Sequence, residues 1–479
     1  MRRKWLKGAL WVLLTPIVLF VILMILLYVP PVQNFIRKQA TAIASDATGM
    51  NISVERIDLR FPLNLLVRGV QVVQSEADAA DVQHPDTLLN LGSLNVSVQA
   101  WPLLQGRVEV NDITLQQVAV NSSNLLEGMH IKGTLGRFFL ESHGIDLKKE
   151  DAILNNVELS NTHMQVMLAD TTETPKDSTE TAVNWRIALH NLKLKNVSVD
   201  LQMPLDSMAL GANIGDASIE DANVDLKRQF YGWRRFTLTE SAVNYDSGMA
   251  APVEGFDASH IALRDIRIGI DSVMACGRDM NAIIREFSMY DRSGLTVTSL
   301  TGRLFADSTL IRIPYLQLKT PHSDMDLTAQ TYWKLVDIPT TGHLSARFNA
   351  NIGKQDVLLF AGGLPETFKE AYPFRPLVIH AGTEGNLKQM QISRFTAELP
   401  GAFFLSGGGE LWNLTDSLTR NGGLDFEMQT QDLNFLTGLT GVTPDGSIIV
   451  PDSMNLVARL GLDLSLIHIS EPTRPRLIS

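Results

Sequence analysis

The chain has 479 residues, of which 45% are hydrophobic and 19% are charged. This composition excludes a disordered protein, and the length alone predicts about two to four domains. The 41 Lys and Arg residues against 52 Asp and Glu residues give a net charge of −11. Because such a chain has no basic field for a phosphate backbone, we expect no nucleic acid partner. The single cysteine, Cys276, excludes an internal disulfide framework and a cysteine-based zinc site.

The N-terminus predicts a membrane anchor. Residues 1–8 carry four basic side chains, and residues 9–29 follow without a charge. As a helix, this stretch would be about 31 Å long, which spans a bilayer. A cleaved signal peptide usually has a shorter apolar core of about 7 to 15 residues, followed by small residues, so we favour an uncleaved anchor. The positive-inside rule keeps residues 1–8 in the cytoplasm and exports the rest of the chain. The residues expected to contact the membrane are Trp11, Leu14, Phe20, Leu26 and Tyr28.

The hydrophobic period changes after the anchor. Residues 32–48 have apolar side chains at helical spacing and predict one short amphipathic helix. From residue 50 to 463 the period is two, which is typical of strands. The predicted fold class is therefore mainly β: a transmembrane helix, then a long curved antiparallel-type sheet with a few short helices.

The alternation of apolar and polar residues skips one position in a recurring motif. In "ITLQQVAV" (residues 113–120), apolar residues occupy positions 1, 3, 6 and 8, and the same spacing occurs in "LKLKNVSV" (192–199) and "IALRDIRI" (261–268). One added residue at the centre of a strand is what a β-bulge or a sheet corner needs to keep both apolar pairs on one side. The motif therefore predicts bent strands whose apolar pairs share a face.

Two structures would cover that apolar face. The strands could fold onto themselves as closed β-sandwiches, each with a dry core. Alternatively, a curved sheet could stay open, with its concave face in contact with lipid acyl chains. Periodicity alone favours the sandwich.

Three local features lie inside the β region. "KQDVLLFAG" (354–362) and "TQDLNFLTG" (430–438) predict short helices, with Asp356 and Asp432 as N-caps and Gly362 and Gly438 at the ends. Residues 169–184 lack the apolar residues of a core and predict a mobile polar loop.

The sequence contains no signature of catalysis. The ten histidines lack metal-site spacing, and "SGGGE" (406–410) lacks the Lys and Ser/Thr of a phosphate-binding loop. There is no G-x-S-x-G nucleophile motif. We therefore expect no enzyme, no metal and no cofactor.

The arrangement resembles the start of the AsmA/TamB-like proteins of diderm bacteria. The resemblance lies in the basic N-terminus and anchor, "TG" before a strand pair, "LLVRGVQV", and the run from "LGSLNVSV" through "LLQGRVEVNDITL". A later stretch, "LPETFKEAYPFRPLVIHAGTEGNLKQMQI", is similar to repeats of the Bacteroidetes TamB-like members. These motifs extend over about residues 1 to 460 and contain no catalytic signature.

The resemblance implies an inner-membrane, single-pass protein with its bulk in the periplasm and an open apolar β-groove that carries phospholipid acyl chains towards the outer membrane. The groove-lining candidates are Ile113, Leu115, Val118, Val120, Leu192, Leu194, Val197, Val199, Ile266 and Ile268. The alternative is a structural assembly factor with closed β-sandwich modules that aids outer-membrane protein insertion or secretion.

The end of the sequence departs from the family. TamB-type members continue to a C-terminal domain, through which the resemblance implies an outer-membrane β-barrel partner, and nothing here corresponds to it. Residues 464–479 break the β pattern and predict an artefactual tail. We therefore interpret the chain as an N-terminal portion of a longer protein.

Overall fold

The structure is a computed structural model. It describes the residues in the following ranges: 30–48, 50–60, 64–73, 87–99, 110–122, 129–146, 149–168, 184–248, 250–440, 453–463 and 466–469. Strands account for 69% and helices for 10% of the structure, so the prediction of a mainly β fold is confirmed. The chain divides into two compact units, Met1–Ala222 and Asn223–Ser479.

The first unit begins with helix α1 (Pro30–Thr48), which corresponds to the helix predicted at 32–48. Its strands are β1 (Asn51–Arg60), β2 (Asn64–Val73), β3 (Thr87–Val98), β4 (Val110–Asn121), β5 (Met129–Asp146), β6 (Asp151–Leu168) and β7 (Arg186–Met203). Strand β8 (Met208–Asp225) contains the boundary between the units. Each strand from β1 to β6 pairs antiparallel with the next.

The pairing of β6 with β7 is parallel, which corrects the expectation of an antiparallel sheet at this point. A parallel pair needs a connection of a dozen or more residues that returns the chain to the same end. Residues 169–185 provide that length. The predicted polar loop at 169–184 falls in this connection, and its residues 169–183 lie outside the described part of the chain.

The second unit is an antiparallel meander. Its strands are β9 (Phe230–Ser247), β10 (His260–Cys276), β11 (Asp279–Asp291), β12 (Thr296–Val297), β13 (Ser299–Ala306), β14 (Leu310–Lys319), β15 (Asp324–Tyr332), β16 (Leu344–Ile352), β17 (Leu377–Gly385), β18 (Gln389–Leu399), β19 (Phe403–Trp412), β20 (Asn421–Thr430), β21 (Met454–Asp463) and β22 (Leu466–Ile469). The short helices are α2 (Trp333–Asp337), α3 (Lys354–Phe360), α4 (Glu366–Ala371) and a 3₁₀ helix (Asn434–Thr440). Each strand pairs with the next, except that β12 and β13 both pair with β11.

The extra residue at the centre of the motif has a backbone conformation in the left-handed region. Gln117, Asn196 and Asp265 occupy position 5 of their motifs and have φ of 55°, 52° and 54°. Only glycine, and less often Asn or Asp, adopts this conformation readily. Gly69 has φ of 59° at the same position of "LLVRGVQV".

In the first unit these residues form a corner that runs across the ladder. The paired residues on either side place them at one level on successive strands, so no strand gains a residue over its neighbour there. On β2 to β7 the members of this level, the corner line, are Gly69, Gly92, Gln117, Gly136, Asn161 and Asn196. Of the two possibilities that the motif left open, bulge or corner, the first unit has a corner. In the second unit, β10 gains one residue over β11 around Asp265, and β14 gains one over β15 around Pro314, which are bulges. Against β9, the shifts on the two sides of Ile266 compensate each other.

Both predicted helical segments form, but their caps differ from the prediction. Helix α3 starts after Gly353, and Asp356 lies inside its first turn, where the hydroxyls of Thr320 and Ser323 donate to its carboxylate. Asp432 does accept a hydrogen bond from the backbone N–H of Asn434, at 2.9 Å.

The predicted glycine at the end of each segment is found in the first and not in the second. Helix α3 ends at Phe360 with Ala361 as its C-cap, and Gly362 follows directly, at the position where a helix-ending glycine is usual. Gly438 lies inside the 3₁₀ helix rather than at its end. The pattern of an acidic residue, an apolar run and a glycine located these segments, but it did not fix their boundaries.

The ends of the chain fall largely outside the described residues. Residues 1–8, the predicted anchor at 9–29 and residues 470–479 are among those not described. Leu466–Ile469 pair with β21, so the β pattern continues into the predicted tail. No helix among the described residues is both long and apolar enough to cross a membrane.

Candidate functional site

The strand registers of the first unit arrange the predicted groove residues into four rows. Residues directly opposite each other in a ladder project from the same face of the sheet. Following each pair from β1 to β7 gives one residue per strand in each row. Row A is Leu59, Leu65, Val96, Ile113, Leu140, Val157 and Leu192. Row B is Ile57, Val67, Leu94, Leu115, Phe138, Leu159 and Leu194.

Two further rows lie beyond the corner line. Row C is Val54, Val70, Leu91, Val118, Leu135, Thr162 and Val197. Row D is Ile52, Val72, Leu89, Val120, Gly133, Met164 and Val199. Because the corner residue adds one position to the alternation of each strand, rows C and D project to the same side as rows A and B. All eight predicted residues of this unit fall on these rows.

Exposure is graded across the rows. Leu91, Thr162 and Val197 of row C are only 4–7% exposed, next to the corner line. Val120, Met164 and Val199 of row D are 36–38% exposed. A second layer of strands over this face would bury both rows alike. The gradient instead fits a concave wall with row C at its deepest point and row D at its rim.

The opposite face of the same strands is polar from β5 to β7, whereas on β2 and β3 it includes the buried Leu66 and Leu88. Arg137 forms an ion pair with Glu158 at 3.5 Å, and the Nδ2 of Asn191 donates to the Oδ1 of Asn156 at 3.3 Å. His163 Nδ1 and Ser198 Oγ are 2.6 Å apart on the same face. Surface ion pairs of this kind contribute at most about 1 kcal/mol each. From β5 to β7 this face is therefore suited to contact with water.

The second unit carries a comparable apolar row. It includes one residue from each strand between β9 and β21 except the two-residue β12. The members are Phe236, Ile270, Ile284, Gly302, Leu316, Leu327, Phe348, Ala381, Phe395, Gly407, Phe426 and Ala458. A Cβ at Gly407 would lie 2.5 Å from Cδ1 of Phe426, so the glycine leaves room for that ring. Of the predicted residues in this unit, Ile268 pairs with Leu238 and Phe287, whereas Ile266 is buried opposite Ser241.

The densest packing lies elsewhere, in a helical cluster. Its buried residues come from α4 and its C-cap, from the end of β18 and the turn that follows, and from the segment that contains the 3₁₀ helix. They are Phe368, Tyr372, Leu399, Ala402, Leu433 and Phe435. The rings of Tyr372 and Phe435 meet edge to face at 5.6 Å. Burial raises the pKa of the Tyr372 hydroxyl. The sequence analysis missed this cluster, although the i, i+4 spacing of Phe368 and Tyr372 was a signal for it.

We expect the substitution F368A to destabilise the second unit by about 3–5 kcal/mol, because it leaves a cavity between Tyr372 and Phe435. The control is F374A, since Phe374 is 83% exposed and the ammonium of Lys354 lies over its ring, 4.3 Å from the centroid. We expect F374A to lower the free energy of unfolding by about 1 kcal/mol or less. Urea unfolding followed by tryptophan fluorescence measures both, and equal losses would contradict the assignment of the cluster as the core.

The described residues contain no group of three or more His, Cys, Asp or Glu side chains placed to hold a metal ion. Trp11, Leu14, Phe20, Leu26 and Tyr28, the predicted membrane-contact residues, lie outside the described part of the chain. No protein-family model matches the sequence, and comparison with curated proteins gives no match.

Proposed function

We propose that the apolar rows form the wall of an open trough that carries phospholipid acyl chains, in a protein anchored in the inner membrane with its bulk in the periplasm. The observation that supports this most is the combination of continuous rows A–D with graded exposure. Val120, Met164 and Val199 of row D are more than one third exposed although they belong to a continuous apolar surface. Contiguous exposed apolar surface of this kind marks a binding site.

The chemistry required of the trough is solvation and not reaction. Each methylene removed from water onto an apolar wall gains about 0.8 kcal/mol. Because strands lie about 4.8 Å apart, a chain that moves by one strand loses one set of row contacts and gains an equivalent set. The free energy along the trough therefore varies little, and a lipid can move while its headgroup stays in water.

The second candidate function is an assembly factor with closed sandwich modules. A sandwich requires two sheets that face each other and bury their inner residues alike. Strands β1 to β7 form one continuous ladder, strands β9 to β22 form another, and Val120, Met164 and Val199 of row D are not buried. Both features favour the trough. An outer-membrane β-barrel partner stays a proposal that rests on the family resemblance.

Site-specific photo-crosslinking tests the trough. A photoreactive amino acid at Val118 should capture lipid from cells, because Val118 lies in row C among apolar neighbours. The matched control is the same group at Gln116, two residues earlier on the polar face of β4. We expect lipid adducts from position 118 to exceed those from position 116 by at least about tenfold, the ratio that 1.4 kcal/mol supplies. Equal yields of lipid adduct at the two positions, or adducts with protein only, would contradict the proposal.

A further inference from the structure

We propose that a cleft between α1 and β1 binds the phosphodiester headgroup of a lipid whose acyl chains lie on rows C and D. This inference rests on the proposed trough, because it names the class of lipid and the place where the headgroup is held. The cleft lies at the first strand of the ladder, where the rows begin.

Helix α1 lies along the free edge of β1. The guanidinium of Arg37 donates to the carbonyl of Glu55 at 2.5 Å, and Gln33 donates to the carbonyl of Leu59 at 3.4 Å. At the other end the backbone N–H of Ile52 donates to the hydroxyl of Ser45 at 3.1 Å. These bonds satisfy edge groups that would otherwise be open to another strand. They also fix the helix beside the first residues of the apolar rows.

The cleft between the two elements has a volume of about 440 Å³. Its lining is part cationic and hydroxylic, from Arg37, Lys38, Thr41, Ser45 and Ser53, and part apolar, from Ala42, Ile52 and Val54. Ile52 is the β1 member of row D and Val54 that of row C. A polar cleft is therefore continuous with two apolar rows, which is the arrangement that an amphiphile needs.

Apart from the Thr41 hydroxyl, which already donates to the carbonyl of Arg37 at 2.7 Å, the polar groups of the cleft are donors. One guanidinium N–H of Arg37 donates to the backbone carbonyl of Glu55. The hydroxyl oxygen of Ser45 accepts a hydrogen bond from the backbone N–H of Ile52, so the O–H of Ser45 can still donate to a ligand. Among the described residues, no carboxylate forms an ion pair with Arg37 or Lys38. Guanidinium, ammonium and hydroxyl groups together match the oxygens of a phosphodiester. In a chain of net charge −11, two adjacent unpaired cations favour an anionic ligand.

Photoactivatable lipids test this site on the full chain in detergent. The probes are phosphatidylglycerol and diacylglycerol with the same diazirine-bearing acyl chains. We expect the wild type to form about tenfold more adduct with phosphatidylglycerol, the ratio typical of one charge-assisted hydrogen bond. The R37Q/K38Q variant should lower the phosphatidylglycerol yield to the diacylglycerol yield. K38Q alone should lower it in the same direction, and since Lys38 makes no bond to β1, this variant tests the site without loosening α1.

The control variant is K132Q/K193Q, which removes two cations from exposed positions on the polar face and should leave both yields unchanged. If R37Q/K38Q and K38Q keep the preference for phosphatidylglycerol, the headgroup site is wrong and the trough stands. If the wild type captures neither lipid, the trough fails and the site with it. If inorganic phosphate binds in a way that depends on Arg37 and Lys38 but the phosphatidylglycerol yield does not, the cleft is a site for free anions and the inference is overturned.

Discussion

We expect the double substitution V120D/V199D to abolish co-purification of lipid while the protein stays folded. Val120 and Val199 lie on row D, on β4 and β7, and more than a third of each side chain is exposed. A carboxylate at these positions stays hydrated in the empty trough, so folding loses little. When an acyl chain covers the row, the same carboxylate must lose water, which costs several kcal/mol per charge. The bound lipid should therefore fall by more than about a hundredfold.

The control for this pair is A119D/Q202D, because Ala119 and Gln202 are exposed on the opposite face of the same two strands. Lipid extracted from equal amounts of purified protein is quantified by mass spectrometry, and circular dichroism follows the fold. Closed sandwiches predict that V120D/V199D unfolds the first unit, since both residues would then lie in a dry core. A folded variant that retains its lipid would contradict both structures.

The sequence was sufficient to predict which residues share a face. A period of two is a local property, and the corner residue shifts it by one position, so Ile113 and Val118 could be placed on one side without knowledge of their neighbours. The registers then carried this prediction further, because opposite residues such as Leu115 and Phe138 are also apolar. The grading of exposure between rows C and D was not predictable, since it depends on how the strands bend together.

Features that depend on distant segments were beyond local patterns. The parallel pairing of β6 with β7 depends on where the chain returns after residue 168. Hydrophobic periodicity within a strand does not predict this. Asp356 has the local pattern of an N-cap, but hydroxyls of Thr320 and Ser323, more than thirty residues earlier, bind it instead. In the helical cluster Phe368 contacts Phe435, and the two residues are too far apart in the sequence for a local pattern to predict this contact. The spacing of residues within one segment does not predict contacts with distant segments.

The second large effect follows from the corner line, and it is the effect of deleting Gln117. Residues on both sides of Gln117 keep the register with β3 and β5 only because the neighbouring strands also carry one residue at this level, Gly92 and Gly136. If Ile113 and Leu115 keep their register without Gln117, Val118 moves to the level of the corner line and Val120 moves to the polar face. Ala119 and Asn121 then take the places of the two valines on rows C and D.

We expect this deletion to lower the free energy of unfolding by about 3 kcal/mol or more, because two valines lose their apolar contacts and β4 loses its match to both neighbours. The substitution Q117G is the control, since glycine adopts a φ of 55° without strain and keeps the residue count. Q117G should be neutral or stabilising, whereas Q117V, whose β-branched side chain resists positive φ, should cost about 1–2 kcal/mol. Chemical denaturation orders the three variants, and lipid co-purification should be lost in the deletion alone. If the deletion is as stable as Q117G and keeps its lipid, the corner does not set which face of β4 is apolar, and rows C and D do not form the wall of a trough.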